Sequence, residues 1–190
     1  MLLTNSQVLA IPQEATTLWQ PSAFLTGAPA GAWRSWLQER GSLTRRLQEQ
    51  AQLSFRVRVL SQGIQPLQEV ERQWLQVEHR RIWVRQVVLE VDHQPWVFAR
   101  SLLPLDQRNR LVQRLMSVGN QALGQLLFSN PSVRRGSLRF CAPASLPFPS
   151  LWGRASCFQT SALRLLVAEH YLPPMAAALQ LPTRGIFGDD

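Results

Sequence analysis

Cysteine and histidine are both scarce in this 190-residue chain, and their scarcity removes several chemistries at once. Cys141 and Cys157 are too few and too far apart for a zinc cluster, and a chain of this length needs no disulfide framework, so both are expected as reduced core thiols. His79, His93 and His170 are scattered, with no HExxH or other paired-ligand spacing, so no metal site is expected. No apolar run approaches the roughly 20 residues of a membrane-spanning helix. The N-terminal stretch MLLTNSQVLAIPQEATTLW also lacks the basic start, long apolar stretch and cleavage site of a secretory signal. A cytoplasmic protein without stable membrane insertion is the expectation. Internal repeats and low-complexity tracts are missing too.

Lysine is absent altogether: the 20 basic residues are all arginine, and with 12 acids they give a formal net charge of +8. A field of that sign attracts nucleic acid and small anions alike, so the distribution has to decide. The arginines run from Arg34 to Arg184 without forming a block or a helical stripe, and several alternate with apolar residues in expected strands. That spread disfavours nucleic acid as a partner and leaves small anions. The seven tryptophans are not interleaved with a basic stripe, which fits core packing better than base stacking.

What is present is a globular composition, 45% hydrophobic and 17% charged, in a length that suits one domain. Residues 1–30 are rich in Pro, Ala, Thr and Gly without sustained periodicity, and are expected as a loosely structured lead-in to a domain over 31–178. WRSWLQER places Trp33, Trp36 and Leu37 on one helical face, and Ser42 is an N-cap for a second helix through LTRRLQEQ. LSFRVRVLSQ has the two-residue period of a half-buried strand. RRIWVRQVVLEV and PWVFARSLLPL, joined by Asp92-His93-Gln94-Pro95, predict an antiparallel hairpin with Trp83, Arg85, Val87 and Leu89 on one face. Helical spacing returns in DQRNRLVQRLM and NQALGQLLF, and strand character in SVRRGSLRFCA, ASCFQT and ALRLLVAEHYL, ending at Pro173-Pro174. Residues 179–190 are expected as a flexible tail. The order implies a single α+β domain, an antiparallel sheet with helices packed on one side.

Two residues stand out chemically. Arg85 lies between Trp83 and Val87 on its strand face, where it is either an exposed strand arginine or a buried one with an anionic partner. Glu169 is an acid inside the apolar run LLVAEHYL, which calls for a salt bridge, an outward-facing edge position or a ligand.

Four blocks in order, spanning roughly residues 33–176, resemble the chorismate lyase family: WLQERGSLTRRLQ, IWVRQVVLEVDHQPWVFARSLLP, LMSVGNQALGQLLF and LWGRASCFQTSALRLLVAEHYLP. Each block alone is a weak pattern, and the four in sequence are strong. Leu43 stands where methionine is common, Gln86 replaces an acid, Ala122 a proline and Ala155 an arginine. The resemblance implies an α+β fold and the conversion of chorismate into 4-hydroxybenzoate and pyruvate, for a quinone head group, ubiquinone or plastoquinone, without a cofactor. It also implies that Arg85 and the backbone amide of Leu43 hold the ring carboxylate, and that Glu169 and the backbone of Leu123 meet the 4-hydroxyl. For the second carboxylate, on the enolpyruvyl side chain, Arg100 in FARSLLP and Arg154 in LWGR are candidates, and a monomer is expected. The competing reading is a non-catalytic domain of the same fold that binds a small anionic effector. That reading predicts a DNA-binding module ahead of the sheet, and no such pattern precedes residue 31 in the sequence.

Overall fold

The computed structural model describes residue 19 and residues 31–67, 69–75, 81–105, 110–141, 151–161 and 163–183. Their elements, in chain order, are α1 (Ala32–Leu37), α2 (Leu43–Gln50), β1 (Phe55–Gln65), α3 (Glu69–Leu75), β2 (Ile82–Val91), β3 (Gln94–Pro104), α4 (Arg110–Met116), α5 (Leu123–Phe128), β4 (Arg134–Arg135), β5 (Arg139–Cys141), β6 (Trp152–Thr160), β7 (Leu163–Tyr171) and α6 (Pro173–Ala178). The expected lead-in, Trp19 excepted, and residues 184–190 of the expected tail lie outside the described residues.

One antiparallel sheet runs β1-β2-β3-β7-β6-β4, with β5 also paired to β6. The fold class is the expected one. At the centre of the sheet stands the predicted hairpin, whose turn is Asp92-His93, both at positive φ, with Gln94 already paired to Val91. A short polar side chain tolerates that left-handed conformation better than most, which suits Asp92 to its place. Its carboxylate also accepts backbone N–H bonds from Gln52, Leu53 and Ser54, at 3.0, 2.7 and 2.9 Å, and so fixes where β1 begins. Ser42 caps α2 as expected, its hydroxyl accepting from the Arg45 amide at 3.3 Å.

The apolar clusters show which helix covers which face. On the front of the sheet, Trp33, Trp36, Leu43, Leu47 and Met175 pack on Val87, Leu89 and Tyr171, while Leu115, Leu123 and Leu127 pack on Trp83, Leu103 and Leu165. On the back, Leu75 of α3 and Trp19 pack with Ile82, Val84, Leu102 and Leu166. One short helix therefore covers the face opposite the others, and β2 is buried on both sides, as its nearly continuous apolar run requires. Two helices are additions to the sequence reading. α3 is too short to show a clear period. α6 starts on Pro173-Pro174, where the ring fits the first helical turn because those N–H groups have no helical partner. The start of the expected tail is packed: Leu181 is buried, and Trp33 Nε1 donates to the Pro182 carbonyl at 2.8 Å.

His170 lies on the back face between the rings of Trp19 and Phe98, fully buried, and neither ring nitrogen has a hydrogen-bond partner among the described residues. Gly153 is required beside it, because a Cβ there would come within 2.4 Å of Cys141 Sγ and 2.9 Å of His170 Nδ1.

Two acid-side predictions follow from these groups. Three backbone N–H bonds hold the Asp92 carboxyl below its ordinary value, so its contribution is present above about pH 4 and is lost as the pH falls through the depressed folded value. Asp92→Asn, which keeps the left-handed preference, should lower the thermal midpoint at pH 7 and flatten its decline below pH 4. Burial pulls His170 down to about 3 from 6.5, so the folded state takes up fewer protons than the unfolded chain, and stability should fall as the pH drops from 6.5 toward 3. Denaturant titrations across that window should show a shallower fall for His170→Phe than for wild type.

Candidate active site

Strand alternation assembles the site. Across the sheet Arg85 pairs with Ser101 and Ser101 with Val167, while Val87 pairs with Ala99 and Ala99 with Glu169, which in turn faces Arg154. All of these side chains share the front face. Arg85 and Glu169 are two strands and two residues apart on it, which puts their Cα atoms about 12 Å from each other. A narrow cavity of about 50 Å³ lies between them, lined by both side chains together with Leu43, Leu123, Arg135, Arg154 and an apolar wall from Val87, Ala99, Val167, Phe158 and α5. Leu43 and Leu123 reach it from the first turns of α2 and α5. The two helix starts approach so closely that a Cβ on Gly124 would sit 3.3 Å from Thr44 Oγ1.

Arg85 is 1% exposed, not an open strand arginine. One of its terminal nitrogens donates to the carbonyls of Gly119 and Gln121, at 2.6 and 3.0 Å, while Nε is buried without a partner among the described residues. Gly119 has φ +56°, which lets the loop between α4 and α5 turn its carbonyl toward the guanidinium. Burial lowers the Arg85 pKa, and an anion placed against Nε would offset that cost.

Glu169 is ion-paired with Arg154, Nε to Oε2 at 2.6 Å, and Arg135 Nη2 stands 3.9 Å from the same oxygen. Arg154 is entirely buried. Its Nη1 donates to the carbonyls of Trp36 at 3.0 Å and Leu37 at 3.5 Å, in the last turn of α1 where carbonyls lack helical donors, and of Glu39 at 2.8 Å just beyond it. Burial is the largest single influence and opposes its charge, but the attraction and hydrogen bond of Glu169 together with Tyr171 and Glu39 outweigh it and raise its pKa. Of the alternatives left open for Glu169, the structure has a salt bridge inside a cavity.

Of the six sequence-derived candidates, the structure brings together Leu43, Arg85, Leu123, Arg154 and Glu169. It separates Arg100. That residue alternates with Ala99 and Ser101, so it points to the back face, where it donates to Glu71 Oε1 of α3 at 2.9 Å with both side chains buried. Two departures from the family pattern, Gln86 and Ala155, also face the back, whereas Ala122 lines the cavity. Arg135 was missed. It lies in a two-residue strand, and nothing in the spacing of SVRRGSLRF distinguishes it from Arg134.

The chorismate lyase family model matches residues 11–178. The chain belongs to that family. Among its relatives, a protein named probable chorismate pyruvate-lyase 2 from Pseudomonas entomophila is 37% identical over 180 residues, covering 91% of this chain and 97% of its own. A probable chorismate pyruvate-lyase from Pseudomonas aeruginosa is 42% identical over 145 residues, covering 73% and 82%. Among solved structures, the crystal structure of PhnF from Mycobacterium smegmatis superposes with a TM-score of 0.50 at 17% identity, over 72% of this chain and 66% of that one, a likeness of fold. Among the described residues no helix is long and apolar enough to cross a membrane, and no group of three metal-ligating side chains occurs.

Arg154 is predicted to be the costliest polar residue of the site to remove. Arg154→Met leaves the buried Glu169 carboxylate without its ion-pair partner and removes one donor from the carbonyls of Trp36, Leu37 and Glu39, and should lower unfolding free energy by about 3–5 kcal/mol in urea titrations. Adding Glu169→Gln to that variant should cost much less than the sum of the single effects, because the uncompensated charge is gone.

Proposed function

We propose that the chain is a chorismate pyruvate-lyase, which eliminates pyruvate from chorismate and leaves 4-hydroxybenzoate for a quinone head group. The observation that carries this reading is the arrangement of Arg85 and Glu169: a buried cation with an N–H unpartnered among the described residues and a carboxylate, at opposite ends of one apolar-walled slot. A para-substituted hydroxybenzoate has the complementary groups at its two ends. A guanidinium grips a carboxylate through parallel hydrogen bonds, and a carboxylate accepts from a hydroxyl. Leu43 and Leu123 stand at the first turns of their helices, where backbone N–H groups have no helical acceptor. The amide of Leu43 joins Arg85 at the acid end, and Leu123 completes the hydroxyl end. An analogue without either group would leave a buried polar group unpaired, which is the basis of discrimination.

The chemistry asks little of the protein. The bond between C3 and the ether oxygen breaks, and the hydrogen on C4 moves to the enolpyruvyl methylene, which becomes the methyl group of pyruvate. The ring gains its third double bond and becomes aromatic. No atoms or electrons enter or leave. Orientation is the main catalytic contribution: the slot fixes the conformer in which the methylene lies over the C4 hydrogen, and arginine stabilises charge on the departing group. In the form described the slot is narrower than a substituted ring, so its wall must give. The carbonyls of Gly119 and Gln121, in the loop between α4 and α5, occupy Arg85 in this form, and a ring carboxylate at Arg85 takes their place. Glu169 serves as the hydroxyl partner.

The purified protein, incubated with chorismate, should release 4-hydroxybenzoate, followed by its absorbance, and pyruvate in equal amounts. A wild-type protein that leaves chorismate unchanged refutes the proposal. Arg85→Ala should cut kcat/KM by about 100-fold or more and weaken 4-hydroxybenzoate binding in parallel. Glu169→Gln retaining full turnover would remove any proton-transfer role for that residue.

A further inference from the structure

Two cavities share one lining residue. Arg135 lines the slot that contains Arg85 and Glu169, and it also lines an open cavity of about 660 Å³ on the other side, to which Arg40 and Ser137 contribute. We propose that Arg135 anchors the second carboxylate of the substrate, on the enolpyruvyl side chain, and that the outer cavity receives the α-keto acid as it leaves. This inference rests on the lyase reading above.

The position follows from the substrate's own connectivity. The carbon that bears the enolpyruvyl ether is adjacent to the carbon that bears the hydroxyl, so with the hydroxyl at Glu169 the side chain projects from the Glu169 end. Arg135 is the cation at that end which also opens outward. Its Nη2 lies 3.9 Å from Glu169 Oε2, beyond hydrogen-bonding distance. The rest of the guanidinium is braced: Nε donates to Ser156 Oγ at 2.8 Å, and Nη1 donates to the carbonyls of Glu39 at 3.2 Å and Arg40 at 3.4 Å. Phe158 and Phe128 flank it, with ring centroids 5.2 and 5.9 Å from the guanidinium carbon. A cation held on two of its nitrogens, with the third making no hydrogen bond among the described residues and standing 3.9 Å from the Glu169 carboxylate, is preorganised for a second carboxylate.

The other arginines fit this role less well. Arg100 is on the back of the sheet with Glu71. Arg154 has a buried Nη2 without a hydrogen-bond partner among the described residues, but its side chain is 0% exposed against 12% for Arg135 and it lines the slot without reaching the outer cavity, so it gives a departing keto acid no way out. Arg135 meets a carboxylate both before and after the elimination, since that group is unchanged in the reaction. Its contribution is to orient the side chain and to pass the product outward.

The two ligands of the reaction separate this role from a structural one, because 4-hydroxybenzoate has no second carboxylate. Arg135→Met should lower kcat/KM for chorismate about 100-fold while changing the 4-hydroxybenzoate Kd less than about twofold, and Arg135→Lys should recover part of the turnover. Unchanged chorismate turnover in Arg135→Met overturns the assignment, and so does an equal loss of both ligands in the two variants. Since Arg135 also braces neighbouring carbonyls, a wild-type measurement stands beside the variants: saturation-transfer NMR should detect pyruvate bound to protein already saturated with 4-hydroxybenzoate. Absence of that signal overturns the subsite whether or not the variants fold. Wild-type protein inert toward chorismate would instead bring down the lyase reading, an outcome distinct from an active wild type matched by an equally active Arg135→Met.

Discussion

The buried guanidinium of Arg154 joins the parts of this molecule that matter for binding. On one side it holds the Glu169 carboxylate, and on the other it collects the carbonyls at the end of α1, so the strand that carries the acid and the helix that roofs it are tied to one charge. Tyr171 donates to the same Trp36 carbonyl, two residues along β7 from Glu169. Burying a charge costs several kcal/mol unless it is paired and hydrogen-bonded, so neither half of this arrangement is stable without the other. An acid in an apolar strand becomes tolerable, and therefore usable, because a cation was buried with it.

Strand parity then decides which charges share a compartment. Residues that alternate along β2, β3 and β7 send Arg85 and Glu169 forward and Arg100 backward, and no local rearrangement could exchange them without turning over a whole strand. The back face has its own buried pair, Arg100 with Glu71, and its own uncharged histidine. The front face holds the slot. One sheet thus separates two sets of buried polar groups that would interfere if they met.

Much of this was legible in the amino-acid order. The hairpin, the Ser42 cap and the sharing of one face by Trp83, Arg85, Val87 and Leu89 follow from period and turn chemistry, and the sheet has them as read. The resemblance in four blocks selected Arg85 and Glu169 from 20 arginines and 12 acids, which composition could not do. Arg100 shows the limit of block matching: its neighbours match the family, yet the partner that claims it, Glu71, sits on a helix too short to have a legible period. Arg135 shows the opposite failure. Its importance comes from contacts with Ser156, Glu39 and Glu169, which are 21, 96 and 34 residues away and join it only when β4 pairs with β6.

Charge counting supports a doubly anionic ligand independently of the detailed pose. The slot contains three arginines, Arg85, Arg135 and Arg154, and one acid, Glu169, so its walls carry two excess positive charges. Little water can screen them in so narrow a space, and a ligand of charge −2 brings the compartment to neutrality. Chorismate has that charge through its two carboxylates, whereas 4-hydroxybenzoate has one. Release of pyruvate therefore leaves the slot one charge short of balance, with the surplus on the side of the outer cavity. Once 4-hydroxybenzoate has also left, the slot again carries two excess positive charges and attracts the next dianion, so the arginines that bind the substrate also draw it in.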